Sequence, residues 1–206
     1  CQEWWDQLRF FLGYSSYNLN NAHELCYDYV LHYAMTIPET PSSLVELLVR
    51  LFPFARYDTD PATGALPIHL ACKYWDCSGT SRSDNKATTQ VLNLLLAGDF
   101  TLAWKRYERR LPLHLAILGG KSSAFLHILL ALDVKTANVR DPPTRLFPFQ
   151  LAALESSMLA KSLDASSHST KSRGEDTRQL DTIYELLRAN PIAVCPMMAY
   201  GSGDPN

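Results

Sequence analysis

Three short stretches hold residue types that could do chemistry. Gly120-Lys121-Ser122 has the ending of a phosphate-binding loop, in which backbone N–H groups and a lysine cradle a nucleotide. Ser83-Asp84-Asn85-Lys86 overlaps a Ser-x-x-Lys with a Ser-Asp-Asn, the elements that activate a serine nucleophile in penicillin-recognising enzymes. His69, Cys72 and Cys77 put three possible metal ligands within nine residues.

None of the three is complete. A phosphate loop needs a glycine five positions before Gly120, where this chain has Leu115, and a strand ahead of it, where Pro112 suits the first turn of a helix. The serine-enzyme elements must converge from separate places, and no Lys-Thr-Gly completes them. Zinc takes four ligands in a closed site, or three plus water in a catalytic one, and His69 and Cys72 are only an i, i+3 pair. The sequence therefore predicts no catalytic residue, no metal, no cofactor and no small-molecule substrate.

Bulk properties narrow the class further. A chain of 206 residues that is 47% hydrophobic can bury a core. A net charge of -2 gives no global attraction to nucleic acid, and no specific nucleic-acid binding is expected. No run approaches the roughly 18 apolar residues of a membrane span, so a soluble chain is expected. The cysteines, five in number, are scattered with no Cys-x-x-Cys, and no glycosylation sequon occurs; an intracellular setting, cytoplasmic or nuclear, is the expectation.

The elements that would position any site repeat along the chain. Leu66-Pro67-Ile68-His69-Leu70-Ala71, Leu111-Pro112-Leu113-His114-Leu115-Ala116 and Phe147-Pro148-Phe149-Gln150-Leu151-Ala152 are one pattern, and Tyr29-Val30-Leu31-His32-Tyr33-Ala34 is a version without proline. Pro67, Pro112 and Pro148 suit a first helical turn, where the missing N–H would have been unpaired anyway.

A second pattern follows each copy: Leu44-x-x-Leu47-Leu48, Leu92-x-x-Leu95-Leu96, Leu126-x-x-Leu129-Leu130 and Ile183-x-x-Leu186-Leu187. This i, i+3, i+4 spacing predicts one apolar stripe on a second helix. Polar residues that can cap stand just before: Ser42 and Ser43, Thr88 and Thr89, Ser122 and Ser123, and Asp181. From His32 to Leu44, and from His114 to Leu126, is 12 residues, whereas His69 to Leu92 is 23 and Gln150 to Ile183 is 33. Two units thus carry insertions, 76–87 and 156–177, rich in Ser, Thr, Gly and charge and predicted to be loops. Ala55, Ala103 and Ala137 each stand 11 positions after the second-helix marker.

A helix-turn-helix unit of this length opening on Thr-Pro-Leu-His-x-Ala resembles the ankyrin repeat, and the likeness covers nearly the whole chain. Its fullest stretch runs from Thr63 to Ala71, with Gly64 where the family has its turn glycine and His69 where it has its histidine. Gly120 matches the glycine that closes the first helix. The chain departs from the family at Leu66, Leu111 and Phe147 in place of threonine, at Gln150 in place of histidine, and at Arg109 and Arg145 in place of the turn glycine.

The expected fold is all-α, an ankyrin-type helix-turn-helix repeat solenoid with two loop insertions. It is divided into a half repeat at 1–24, repeats at 25–61, 62–106, 107–142 and 143–195, and a tail at 196–206. The start is expected to fall inside a repeat, because Leu8-x-x-Phe11-Leu12 repeats the second-helix pattern.

The resemblance implies a protein-interaction scaffold that binds an unidentified protein partner through its concave face and turns. The alternative is a regulatory or targeting module of a larger multidomain enzyme or channel. One local surface signal stands out: Trp104, Arg106, Tyr107 and Arg109 cluster at a turn, with Arg56 and Tyr57 in the turn of the unit before. Arginine and aromatic residues dominate interface energetics, so these six are the candidate partner-binding residues.

Overall fold

In a computed structural model, the structure describes residues 29–38, 40–75, 82–154 and 173–191. They form eight α-helices and no strand among the described residues: α1 Val30–Thr36, α2 Ser42–Leu51, α3 Pro67–Lys73, α4 Arg82–Leu96, α5 Pro112–Leu118, α6 Ser123–Leu132, α7 at 148–154 and α8 Arg173–Ala189. Two 3-10 turns, Phe100–Trp104 and Val134–Asn138, follow α4 and α6. Residues 76–81 of the first insertion (76–87), residues 156–172 of the second (156–177), the half repeat at 1–24 and the tail at 196–206 lie outside the described residues.

The short helices begin where the sequence repeats. Leu66 and Leu111 are extended N-caps, and Pro67 and Pro112 take the first helical position. His69 and His114, three residues after each N-cap, accept the cap N–H groups through Nδ1, at 3.0 and 3.3 Å. At α7 the bond is made by a different residue: Gln150 Oε1 accepts the Phe147 N–H at 3.0 Å. α5 ends as its glycines suggest, with Gly120 at φ +64 donating to Ile117 O and Lys121 N–H donating to Ala116 O.

Packing sorts the helices into two rows. α1 touches α3 and α3 touches α5; α2 touches α4, α4 touches α6 and α6 touches α8; α1 with α2, α3 with α4 and α5 with α6 make the pairs between rows. Helices this short are marginal alone, so burial between rows must hold them. Leu92, Leu95, Leu96, Leu113, Leu129 and Leu151 are wholly buried, and truncating any one to alanine costs about 2–5 kcal/mol. Trp75 links successive units, its Nε1 donating to the carbonyl of buried Thr40 at 3.1 Å.

The structure corrects three local expectations. α4 begins at Arg82, so residues 82–87 of the predicted 76–87 loop are helix and Thr88 and Thr89 lie within it. Arg, Lys, Ala and Gln are good helix formers. Likewise α8 begins at Arg173, placing 173–177 and Asp181 in helix.

Ser42 and Ser43 are inside α2, whose N-cap is Pro41 with no side-chain cap; of the predicted cap pairs, Ser122 is the residue that caps, accepting Phe125 N–H at 3.4 Å. The stripe of α2 is turned by one residue: Leu44, Val45, Leu48 and Val49 are buried, while Leu47 is 51% exposed. The matching stripes are Val91, Leu92, Leu95 and Leu96 in α4 and Phe125, Leu126, Leu129 and Leu130 in α6.

Candidate functional site

The site is built on three turns that lead into α3, α5 and α7. In the first and third, an aspartate closes a six-residue loop: Asp60 N–H donates to Ala65 O at 2.9 Å and Asp141 N–H to Leu146 O at 2.8 Å. Each carboxylate also accepts within the loop, Asp60 from Thr63 Oγ1 and Ala62 N–H, Asp141 from Thr144 Oγ1 and N–H. The middle turn is tighter, with Tyr107 and Arg110 exchanging both backbone bonds at 2.9 Å. Gly64, Arg109 and Arg145 occupy the same place, two residues before the helix-leading Leu66, Leu111 and Phe147, and all are left-handed, with φ of 72, 67 and 63.

The repeat histidines tie each first helix to the following turn. His32 Nε2 contacts Asp58 O at 2.9 Å, His69 Nε2 contacts Lys105 O at 3.0 Å, and His114 Nε2 contacts Val139 O at 2.9 Å. In His69 and His114, Nδ1 accepts, so Nε2 carries the proton and donates. His32 Nδ1 is buried without a partner among the described residues. Burial lowers all three histidines below their ordinary range, against the opposing pull of those carbonyl contacts. They are clasps spread one per unit and do not converge.

Of the candidate surface residues, Tyr57, Trp104, Arg106 and Arg109 are exposed, and Arg56 is half-buried with its guanidinium 4.9 Å from the Tyr57 ring. Trp104 reaches the next unit, Nε1 donating to Asp133 Oδ2 at 3.0 Å. Tyr107 is half-buried and turned inward, its ring stacked on His69 at 5.5 Å, so it supports the turn from beneath.

Asp99, between α4 and the 3-10 turn at Phe100–Trp104, lies within electrostatic reach of Arg56 and Lys105. That carboxylate is held low by Thr101, with Arg56 and Lys105 adding to the effect.

Sequence reasoning missed the acidic partners of this strip. Glu108 pairs with Lys73 Nζ at 2.8 Å, which holds its carboxyl below the usual range. Asp141 is fully buried and pairs with Arg110 Nε at 2.9 Å; burial alone would raise its pKa, but Arg110 and Thr144 outweigh that and lower it. Asp99 and Asp133 cap the two 3-10 turns, accepting Thr101 and Lys135 N–H at 2.9 Å. A signal was present: Asp-Pro-x-Thr recurs at 60–63 and 141–144.

The residues of the three chemical stretches are placed as follows. Lys121 Nζ donates to the Trp75 carbonyl. Ser83–Lys86 lies on the backbone of α4. His69 has both ring nitrogens engaged, the Cys72 thiol is wholly buried and pushed far up by desolvation, and Cys77 lies outside the described residues. Among the described residues no three His, Cys, Asp or Glu gather as metal ligands, and no helix is long and apolar enough to cross a membrane.

Compared with models of known protein families, with curated proteins and with solved structures, the chain matches none.

Proposed function

We propose that this chain is an ankyrin-like repeat array that acts as a protein-interaction scaffold, engaging a partner through its inter-repeat turns and the face of its first helices. Support for the array comes from the two helix rows and from the recurrence of one clasp at His32, His69 and His114. Units that bury their apolar faces only against neighbours form solenoids.

The observation that carries the binding role is the turn strip. Tyr57 is 41% and Trp104 38% exposed on successive turns whose backbones are fixed by hydrogen bonds, with Arg106 and Arg109 beside them. Aromatic and arginine side chains held on rigid backbone lose little entropy on contact with a partner.

The test is affinity capture with the whole chain as bait, run beside a Tyr57→Ala, Trp104→Ala variant. A partner retained by the parent and lost by the variant supports the reading. Capture of the same proteins in the same amounts by both overturns it.

A further inference from the structure

The three turns share one backbone demand and meet it differently. A left-handed residue is required two positions before each helix-leading residue. Gly64 satisfies this without steric penalty; Arg109 and Arg145 do so with a Cβ pressed against the backbone. Strain of this kind persists where the side chain has a use. Neither arginine serves the fold in this way: both are exposed, and among the described residues no carboxylate lies within ion-pairing distance of either.

Their neighbours reinforce the pattern. Arg106 Nη1 donates to Arg109 O at 3.4 Å, and Arg140 Nη1 donates to Arg145 O at 3.0 Å, so each turn carries two guanidiniums, one bracing the backbone that presents the other. Arg140 also lies 4.1 Å over the Phe147 ring, which orients it. The two turns are joined by the Arg110–Asp141 pair. The acids of these turns are already committed, Glu108 to Lys73 and Asp141 to Arg110, and among the described residues none pairs with the four outer arginines.

We propose that Arg106, Arg109, Arg140 and Arg145 form a docking site for a short acidic segment, rich in Asp and Glu, of a protein partner. The assignment rests on the interaction-scaffold reading and names the chemistry of what it binds. A guanidinium fork fits a carboxylate in two parallel hydrogen bonds. The patch is short: the turn one unit earlier carries Asp58 and Asp60 and no basic residue from 57 to 65, and the whole chain has a net charge of -2. A polyphosphate strand needs a longer positive track than two turns supply.

The experiment is fluorescence anisotropy of a labelled oligo-glutamate peptide with the whole chain, at low and at physiological salt. The Arg109→Gly, Arg145→Gly double variant places at both turns the residue that the first turn already uses. It is expected to bind about tenfold more weakly. Its Tm is expected to hold or rise, because the left-handed strain at those two positions is gone, while that of Glu108, at φ 51, stays in both chains. Arg109→Lys with Arg145→Lys keeps the charge, loses the fork and is expected to fall between.

Equal binding by the glycine double variant overturns the proposal. So does a fall in its Tm, which would make the arginines structural, or a parent chain that ignores the peptide. Tighter, equally arginine-dependent binding of a single-stranded oligonucleotide or of phosphatidylserine vesicles overturns it as well. Failure here leaves the scaffold reading standing, because that reading is judged by capture of a partner dependent on Tyr57 and Trp104.

Discussion

Gln150 Oε1 accepts the backbone N–H of Phe147 at 3.0 Å, taking the place that His69 Nδ1 holds for Leu66 and His114 Nδ1 for Leu111. The amide is thus a working substitute for the imidazole at a helix start. His114→Gln is expected to cost less than about 1 kcal/mol. His114→Ala strands the buried Leu111 N–H and the Val139 carbonyl and is expected to cost about 2–3 kcal/mol. Urea midpoints at unchanged slope check the ordering, and equal losses for the two variants would contradict the clasp.

The same histidines set an acid sensitivity. His32, His69 and His114 have folded pKa values lowered from 6.5, chiefly by burial, so below pH 6.5 the unfolded chain binds protons that the folded chain does not. Stability is therefore fully present above that pH and falls as pH drops below it, by at most about 1.4 kcal/mol per pH unit for each histidine. Carboxylates held low, such as Glu108 and Asp141, add their loss only further down, as pH falls below the ordinary carboxylate range. Denaturation followed at a series of pH values should show the upper step, and His69→Gln with His114→Gln should flatten it.

Gly119 is required for space rather than for its backbone angle. Its φ is -79, which any residue adopts, but an added Cβ would sit 2.5 Å from the Cys72 carbonyl oxygen, where α5 meets α3. The neighbouring Gly120 has φ +64 and nothing within 4 Å. Gly119→Ala is expected to cost about 3 kcal/mol and Gly120→Ala about 1 kcal/mol, as judged by thermal unfolding.

Asp60 and Asp141 run the same turn at different depths. Asp141 is wholly buried and neutralises Arg110, so Asp141→Ala is expected to cost about 3 kcal/mol. Asp60 makes its loop bonds near the surface, and Asp60→Ala is expected to cost under about 1 kcal/mol. Paired denaturant titrations read the difference.

Much of this was legible in the residues. Pro67, Pro112, His69 and His114 marked helix starts because the chemistry of a helix N-terminus is local. Aligning the copies on those markers put Arg109 and Arg145 at the place of Gly64, and the left-handed angles follow.

What escaped depended on contacts between units. The one-residue turn of the α2 stripe is set by its packing against α4, and Leu47 looks as apolar in sequence as Leu48. The early start of α4 was hidden because Ser83, Asp84 and Asn85 are typical of loops. Tyr107 was read as outward because its stacking partner, His69, belongs to the preceding unit.

If the turns are the working surface, hydrogen exchange on the chain bound to its captured partner reads them out. Exchange is expected to slow further on binding at residues 105–110 and 140–146, turns in which Tyr107, Arg110, Asp141 and Arg145 already donate backbone bonds. Protection confined to α2 and α8, with those two turns exchanging as fast as in the free chain, would contradict it.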